Sequence, residues 1–532
     1  MAEMRGSDRR WLVLAVMSVG TIIAFLDDSV VNTALPRISI DLGASTGGLQ
    51  WVVDAYVMVL AGLLLLCGSL GDRFGRKRIM SIGLVVFAGA SAGAASSHSL
   101  GALVAMRGLQ GLGAALVLPA TLSIITNVFP REERGRAIAV WTAVGGIAVG
   151  LGPVLGGYLI DSYGWASVFW LQVPVALAAL AGMVIVPESR DERHVGIDLP
   201  GAALGTMGLT ALIYALIRSG EQSFTDGMAL LAFAIAAVVL VAFVVVERRT
   251  ESPMLPMRFF RQRDLAGAVL VIIIALFAMF VTFFFLTQLF QLVQHRSALA
   301  AGLLIVPASV ALVIGSGINA KLINIVGPRM LAAAMTGCML IGLLLLTRIT
   351  ATTGAVQIDA SLLIIGLGVG LGLPALTDTV MAAVPEDEAG VGSAVNDVSR
   401  QLGGALGVAV IGSIVSSAYR ANLGNTLPAG VNQTAARAAQ QSIGAAAQTA
   451  KTLPQPTAEQ LVHAANTAYV NAITHGFYVS SAVMLVALVA ALSLLPRRTR
   501  ATQAESRHVD SSDDRWPGPV PAAGGAAGFV AH

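Results

Sequence analysis

A few charged and polar residues in this 532-residue chain stand inside long apolar runs, where they suit the exchange of a proton for a cation. Asp27 and Asp28 lie side by side in Leu26-Asp27-Asp28-Ser29-Val30-Val31-Asn32, within the first apolar run. Asp54 stands in Trp51-Val52-Val53-Asp54-Ala55-Tyr56, early in the second. Arg107 lies deep in the fourth, with Gln110 and Gly111 on its helical face at i+3 and i+4. A carboxylate in hydrocarbon costs roughly 2.5–3.5 kcal/mol, so its presence there points to function. The alternative for Asp27 or Asp28 is a place near the outer interface, bonded to Asn32. Asp54 reads either as a second acid of an outer cavity or as an interfacial residue beside Trp51 and Tyr56. Arg107 cannot shed its proton and so requires a carboxylate, carbonyls or water. A relay with a span-one acid and a fixed ion pair between helices both meet that need. Asp378, near the inner end of the twelfth run, is either a second acid of the carboxyl-terminal half or a residue of the cytoplasmic interface. Gln288, Gln291 and Gln294 make a polar ridge at i, i+3 and i+6, which either contacts substrate or pairs between helices.

The elements that hold these residues are membrane-spanning helices. The chain is 56% hydrophobic and 12% charged, with a mean hydropathy of +0.77. Soluble domains carry about 25% charged residues, and here the deficit extends along nearly the whole length. The apolar runs are unbroken rather than alternating, which excludes a closed barrel. Fourteen candidate spans fall near 11–34, 49–70, 79–97, 100–124, 136–160, 165–187, 199–218, 227–246, 265–289, 299–322, 329–347, 360–383, 400–419 and 474–495. With the amino terminus in the cytoplasm, 25 of the 33 Lys and Arg fall on cytoplasmic segments and seven outside, Arg107 lying within a span. Arg400 enters that count as the one cation between spans twelve and thirteen. The first run follows three arginines, but it lacks a small-residue cleavage site and leads into Asp27-Asp28, so it reads as a span and not a signal peptide. Cys67 and Cys338 lie in apolar runs and are expected as free thiols.

Two turns carry the strongest local signals. Gly68-Ser-Leu-Gly71-Asp72-Arg73-Phe-Gly75-Arg76-Lys77-Arg78 joins spans two and three, with four cations against one acid, and belongs in the cytoplasm. Its glycines allow a sharp turn and close helix approach. A weaker copy, Ala320 to Arg329, follows span ten, with Asn324 for Asp72 and Pro328 for Arg76. The repeat implies two six-span halves, 11–187 and 265–496, with two extra helices and their linkers at 188–264 between them. The ends, 1–10 and 497–532, read as cytoplasmic, the latter as disordered. The polar, alanine-rich outer segment from about 420 to 470 reads as a linker, the alternative being a flexible cap over the outer mouth, with a helix start at Thr457. Span five has Gly152-Pro153 and Gly156-Gly157, a small-residue face beside a kink-forming proline. No phosphate loop or metal-ligand cluster occurs, and no cofactor is expected.

Taken together, these motifs resemble the fourteen-span drug:proton antiporters of the major facilitator superfamily. The resemblance rests on the turn at 68–78, Leu26 to Pro36, Arg107-x-x-Gln110-Gly111, Gly152-Pro153-x-x-Gly156-Gly157 and Val391 to Gly407. Trp51 to Tyr56 is similar to the subgroup exporting quaternary ammonium compounds. The chain departs from the family at Trp165-Ala-Ser-Val-Phe169, where Trp-Arg-Trp-x-Phe is usual. The resemblance implies an all-α fold with cytoplasmic termini in a bacterial cytoplasmic membrane. It assigns Asp27 as the span-one acid, Arg107 as the span-four arginine and Gly152-Pro153 as the antiporter signature. It further implies a non-enzymatic, proton-driven exporter of amphipathic or cationic molecules, taken from the cytoplasm or inner leaflet and working as a monomer. Other readings are an exporter of one secondary metabolite and a non-transporting sensor or scaffold.

Overall fold

The computed structural model describes residues 6–42, 46–190, 198–221, 224–250, 253, 255, 257–385, 388–428 and 430–497. Helices dominate them: α1 (Gly6–Leu42), α2 (Thr46–Phe74), α3 (Arg76–Ala95), α4 (Leu100–Val128), α5 (Arg131–Tyr163), α6 (Ala166–Gly182), α7 (Leu199–Glu221), α8 (Gly227–Arg249), α9 (Arg263–Gln288), α10 (Ala298–Leu303), α11 (Val306–Leu346), α12 (Ala355–Ala382), α13 (Ala389–Asn425), α14 (Gln433–Ala439), α15 (Ile443–Ala450) and α16 (Thr457–Leu494). An apolar chain in hydrocarbon takes this form because each helix satisfies its own backbone N–H and C=O groups. Among the described residues, twelve helical stretches are long and apolar enough to cross a membrane. One of them, Leu299–Leu346, has 48 residues, about twice what a bilayer needs, and Gly327 breaks it with φ 77°. Dividing it there and adding the 17-residue apolar α6 gives fourteen spans, the expected number.

Helix α4 forms the interior: 83% of its most apolar stretch is buried, against 22% for α8, which faces outward. One apolar core is built from residues 259–495, and two smaller ones draw chiefly on residues 13–186. The extra pair α7–α8 lies along the line where α2 meets α13, with Leu65, Leu209, Phe243, Val391 and Val395 in one cluster. Glycines set the closest crossings: a Cβ on Gly366 or Gly370 of α12 would run into the Ala308 or Leu312 carbonyl of α11.

Three expectations need correcting. Helix α13 begins at Ala389 rather than near residue 400, so Arg400 lies within a long apolar helix and not in a loop. The outer segment is no simple linker. Helices α14 and α15 are capped by Asn432 and Ser442, Tyr419 donates to the Ala439 carbonyl (3.1 Å), and Ile443 and Ala446 are buried. The alanines that look featureless in sequence form the buried faces of these short helices. After Gln288 the backbone enters a π turn, Leu289–Val293, which breaks the α-helical spacing of the glutamine ridge, and Gln294 instead ties to the Thr353 carbonyl at 3.2 Å. The expected disordered tail lies outside the described residues.

Candidate proton and substrate site

The fully buried Asp27 is held from two sides. Arg107 of α4 donates Nη1–H to Oδ2 at 2.6 Å, and Gln172 of α6 donates Nε2–H to Oδ1 at 2.6 Å. Arg107 also donates Nε–H to the Val52 carbonyl of α2 (2.8 Å) and Nη1–H to Gln110 Oε1 (3.1 Å), and its guanidinium lies 4.5 Å from the centre of the Tyr56 ring. Gln110 in turn donates to Gln172 Oε1 (2.9 Å) and to Ser91 Oγ of α3 (2.8 Å). One carboxylate therefore joins α1, α2, α3, α4 and α6 in a buried network whose bonds are charge-assisted where they meet Asp27 or Arg107.

Local sequence explains how Asp27 reaches that point. Helix α1 presses against α5 two residues beyond it, because Ser29 Oγ fills the space a Cβ on Gly152 would need. One turn on, a Cβ on Gly156 would meet Val30 and Thr33 at 3.3–3.6 Å. Ser29 returns its hydroxyl proton to its own helix, at the Leu26 carbonyl (3.0 Å), so it adds no unpaired polar group to this contact. The other face of α5 meets the carboxyl-terminal helices, Gly157 lying against Leu299. The side chains of Asp28 and Pro153 lie outside the described residues.

The turn at 68–78 forms a second polar centre. Gly75 takes φ 103°, a conformation that favours glycine, and ends α2 sharply. Arg76 donates Nε–H (2.8 Å) and Nη2–H (2.6 Å) to Asp72 Oδ1, with both residues buried. The same carboxylate accepts the N–H groups of Gly390 (2.9 Å) and Val391 (3.1 Å), in the first turn of α13. These are among the helix-start donors that lack an intrahelical partner, so an anion fits there. A Cβ on Gly68 would strike Gly390 backbone, so only glycine allows this approach. Glu188 accepts the Lys77 N–H (3.0 Å), and the Ser189 carbonyl accepts the Arg76 N–H (2.9 Å). The Gly75 N–H bonds the Gly71 carbonyl, and Arg73 lies outermost over Phe74. The turn thus fastens α2 and α3 to α13.

Residues 17–408 match the Major Facilitator Superfamily. The chain belongs to that superfamily. It is 33% identical over 485 residues to the multidrug efflux pump LfrA of Mycolicibacterium smegmatis, covering 91% of this chain and 96% of the relative. It is 30% identical to the methyl viologen resistance protein SmvA of Salmonella typhimurium, covering 91% and 97%. The solved proton:xylose symporter XylE shares the fold, with a TM-score of 0.60 at 14% identity over 92% of this chain and 97% of that one. A major facilitator with this many spans is a multi-pass plasma-membrane transporter, not an enzyme.

Against that superfamily frame, the remaining predicted residues separate. Asp54 is half-buried on α2. Asp378 sits four residues before the end of α12, within electrostatic reach of Arg134 at the start of α5. Four polar residues were missed. Ser91 and Gln172 complete the Asp27 network, and Gln172 was readable as the one amide in Trp170-Leu-Gln-Val-Pro174. Asp397 and Arg400 sit on one face of α13 at i and i+3, hidden by starting that span too late. Arg400 places its guanidinium 4.9 Å from the Phe25 ring of α1 and 5.8 Å from the Trp141 ring of α5.

Proposed function

We propose that this chain is a proton-driven antiporter that exports amphipathic, chiefly cationic, drugs from the cytoplasm or the inner leaflet. The observation that carries this reading is the buried Asp27–Arg107 pair, a carboxylate whose two oxygens are filled by an arginine and an amide inside the helix bundle. Export of drugs is supported by the likeness to LfrA and SmvA across nine-tenths of the chain.

In this reading a proton entering from outside neutralises Asp27 and removes the anion that Arg107 faces. Arg107 keeps the Val52 carbonyl, Gln110 and the Tyr56 ring, so it stays anchored while α1 is released. The Gly152–Ser29 contact transmits that release to α5 and so to the carboxyl-terminal helices. The bodies that move are 11–187 and 265–496, and Asp72 on the Gly390 and Val391 amides is the cytoplasmic latch between them. Gly68, Gly71 and Gly75 shape the latch, Arg76 holds its charge, and Arg73 faces the headgroups. Asp28, Asp54 and Asp378 are secondary acids along the path, and the unit is a single chain in the bilayer.

Everted vesicles test the reading with ethidium as the transported cation. Asp27→Asn should cut gradient-driven uptake at least ~10-fold, while Asp28→Asn and Asp54→Asn have smaller effects. Uptake at the full rate after the proton gradient is collapsed would refute proton coupling.

A further inference from the structure

The Phe25, Trp141, Asp397 and Arg400 group lies apart from the Asp27 network and draws on both ends of the chain. Arg400 is eleven residues into the 37-residue α13, about 16 Å along the helix from its start. Its guanidinium stays charged at any physiological pH. No carboxylate among the described residues lies within 4 Å of it, and its Nη1 has no hydrogen-bond partner. Instead, its charge faces two aromatic rings contributed by α1 and α5. Asp397, one turn earlier on the same helix, is buried; its Oδ1 accepts from Asn396 at 3.4 Å and its Oδ2 has no partner among the described residues. Trp141 is 1% exposed, and Cδ2 and Cε2 of the Phe25 ring approach Gly145 of α5, at 3.3 Å from where a Cβ would be.

This arrangement is poor for a structural ion pair and good for a different guest. A structural pair would bring the guanidinium and carboxylate into contact and fill their remaining donors and acceptors. Here a weakly hydrated planar cation sits on π faces with an anion at a distance, which are the surroundings a lipophilic organic cation seeks. We propose that Phe25, Trp141 and Asp397 form the subsite for the cationic head of a substrate, and that Arg400 is a tethered stand-in occupying it in the substrate-free state. Substrate displaces the guanidinium from the rings and takes Asp397 as its counter-charge. When substrate leaves, Arg400 refills the box and keeps water from following. This inference rests on the drug-export reading and names the chemistry of its binding site.

Equilibrium dialysis of the purified full chain with tetraphenylphosphonium tests it, with ethidium uptake into everted vesicles run in parallel. Removing a competitor tightens binding, so Arg400→Ala should bind the cation about fivefold more tightly than wild type or better, whereas Phe25→Leu and Asp397→Asn should each weaken it about fivefold. The same two losses should appear in the Arg400→Ala background. A residue that merely supports the fold would not move affinity in the favourable direction. Should Arg400→Ala aggregate, Arg400→Gln replaces it, and the Phe25 and Asp397 variants still decide. Unchanged or weaker binding in a folded Arg400 variant, or wild-type binding by Phe25→Leu and Asp397→Asn, overturns the subsite. If wild type still extrudes ethidium, the export reading survives that result. If wild type neither binds tetraphenylphosphonium nor extrudes ethidium, the cation reading and the subsite fall together.

Discussion

The two related turns, 68–78 and 320–329, keep the same bend and differ in almost everything attached to it. Gly75 and Gly327 both have positive φ, 103° and 77°, so each copy reverses the chain at a glycine. In the first copy Asp72 is buried against Arg76 and receives two amides of α13. In the second, Asn324 is exposed and Pro328 stands where Arg76 would be, while Arg329 turns away to the Leu495 carbonyl (2.7 Å). What the second copy offers the opposite helices is apolar: Ile323 lies against Gly135 of α5, at 3.3 Å from where a Cβ would be. One turn is therefore joined across the molecule by directional bonds to a carboxylate, the other by van der Waals contact. A hydrogen-bonded latch opens when its anion leaves its partners, whereas a packed contact can slide. On the proposed reading, the first turn is a switchable latch and the second a bearing.

The strongest way to break that distinction is Asp72→Ala. It leaves Arg76, 1% exposed, without its anion and orphans the Gly390 and Val391 amides. Breaking a buried pair this way costs about 3–5 kcal/mol of stability, and losing the two amide bonds to α13, at roughly 1.5–3 kcal/mol for each bond to a charged group, shifts the closed state toward the open one about tenfold or more. Ethidium uptake should fall at least ~10-fold, and a cysteine placed near Gly390 should label faster. Asn324→Ala should leave uptake within about twofold, as exposed positions usually do. Equal losses from the two variants would erase the difference between latch and bearing.

The glycines come next in size. An alanine at either turn meets a backbone conformation that costs about 1–3 kcal/mol. At Gly75 the added Cβ also lies 2.7–2.9 Å from the Glu188 carboxyl group, whose Oε1 holds the Lys77 amide. Gly75→Ala should therefore lower the yield of folded protein and the uptake rate more than Gly327→Ala. The reverse order would place the more demanding turn in the second copy.

Much of this contrast was legible in the chain. The substitutions Asn324 for Asp72 and Pro328 for Arg76 already separate a charged turn from an uncharged one, and Arg107 inside an apolar run demanded an anionic partner. The rest depended on long-range packing. Nothing near Asp72 in sequence indicates that it accepts amides from residues 390 and 391, because a helix start has no composition that names its distant cap. Gln172 looked like one polar residue in an apolar helix until α6 was set against α1. The start of α13 was misplaced because Gly390, Gly392, Asn396 and Asp397 look polar and loop-like, yet protein surrounds them and lets the helix begin eleven residues earlier.

A finer test uses a third site with the same parts as the latch. Asp226 caps its own helix α8, accepting the Ala229 amide at 3.0 Å, and pairs with Arg218 at 3.0 Å. Like Asp72 it joins an arginine to a helix start, but both of its partners are local and water reaches the pair. The hydrogen bond from Arg218, with that from Ala229, holds the Asp226 carboxyl below the usual carboxylate range. Its contribution is therefore complete above the ordinary carboxylate pKa of about 4 and fades as pH falls through the lowered value. Asp226→Asn keeps a good cap and loses only an exposed pair, so hydrogen exchange at residues 227–230 should change by less than about twofold at pH 7. Asp72→Asn should raise exchange at residues 389–392 about tenfold or more, because there the lost charge was buried and joined separate helices. Matching increases at the two helix starts would mean that burial and reach add nothing to the Asp72 cap, and the latch would reduce to an ordinary helix cap.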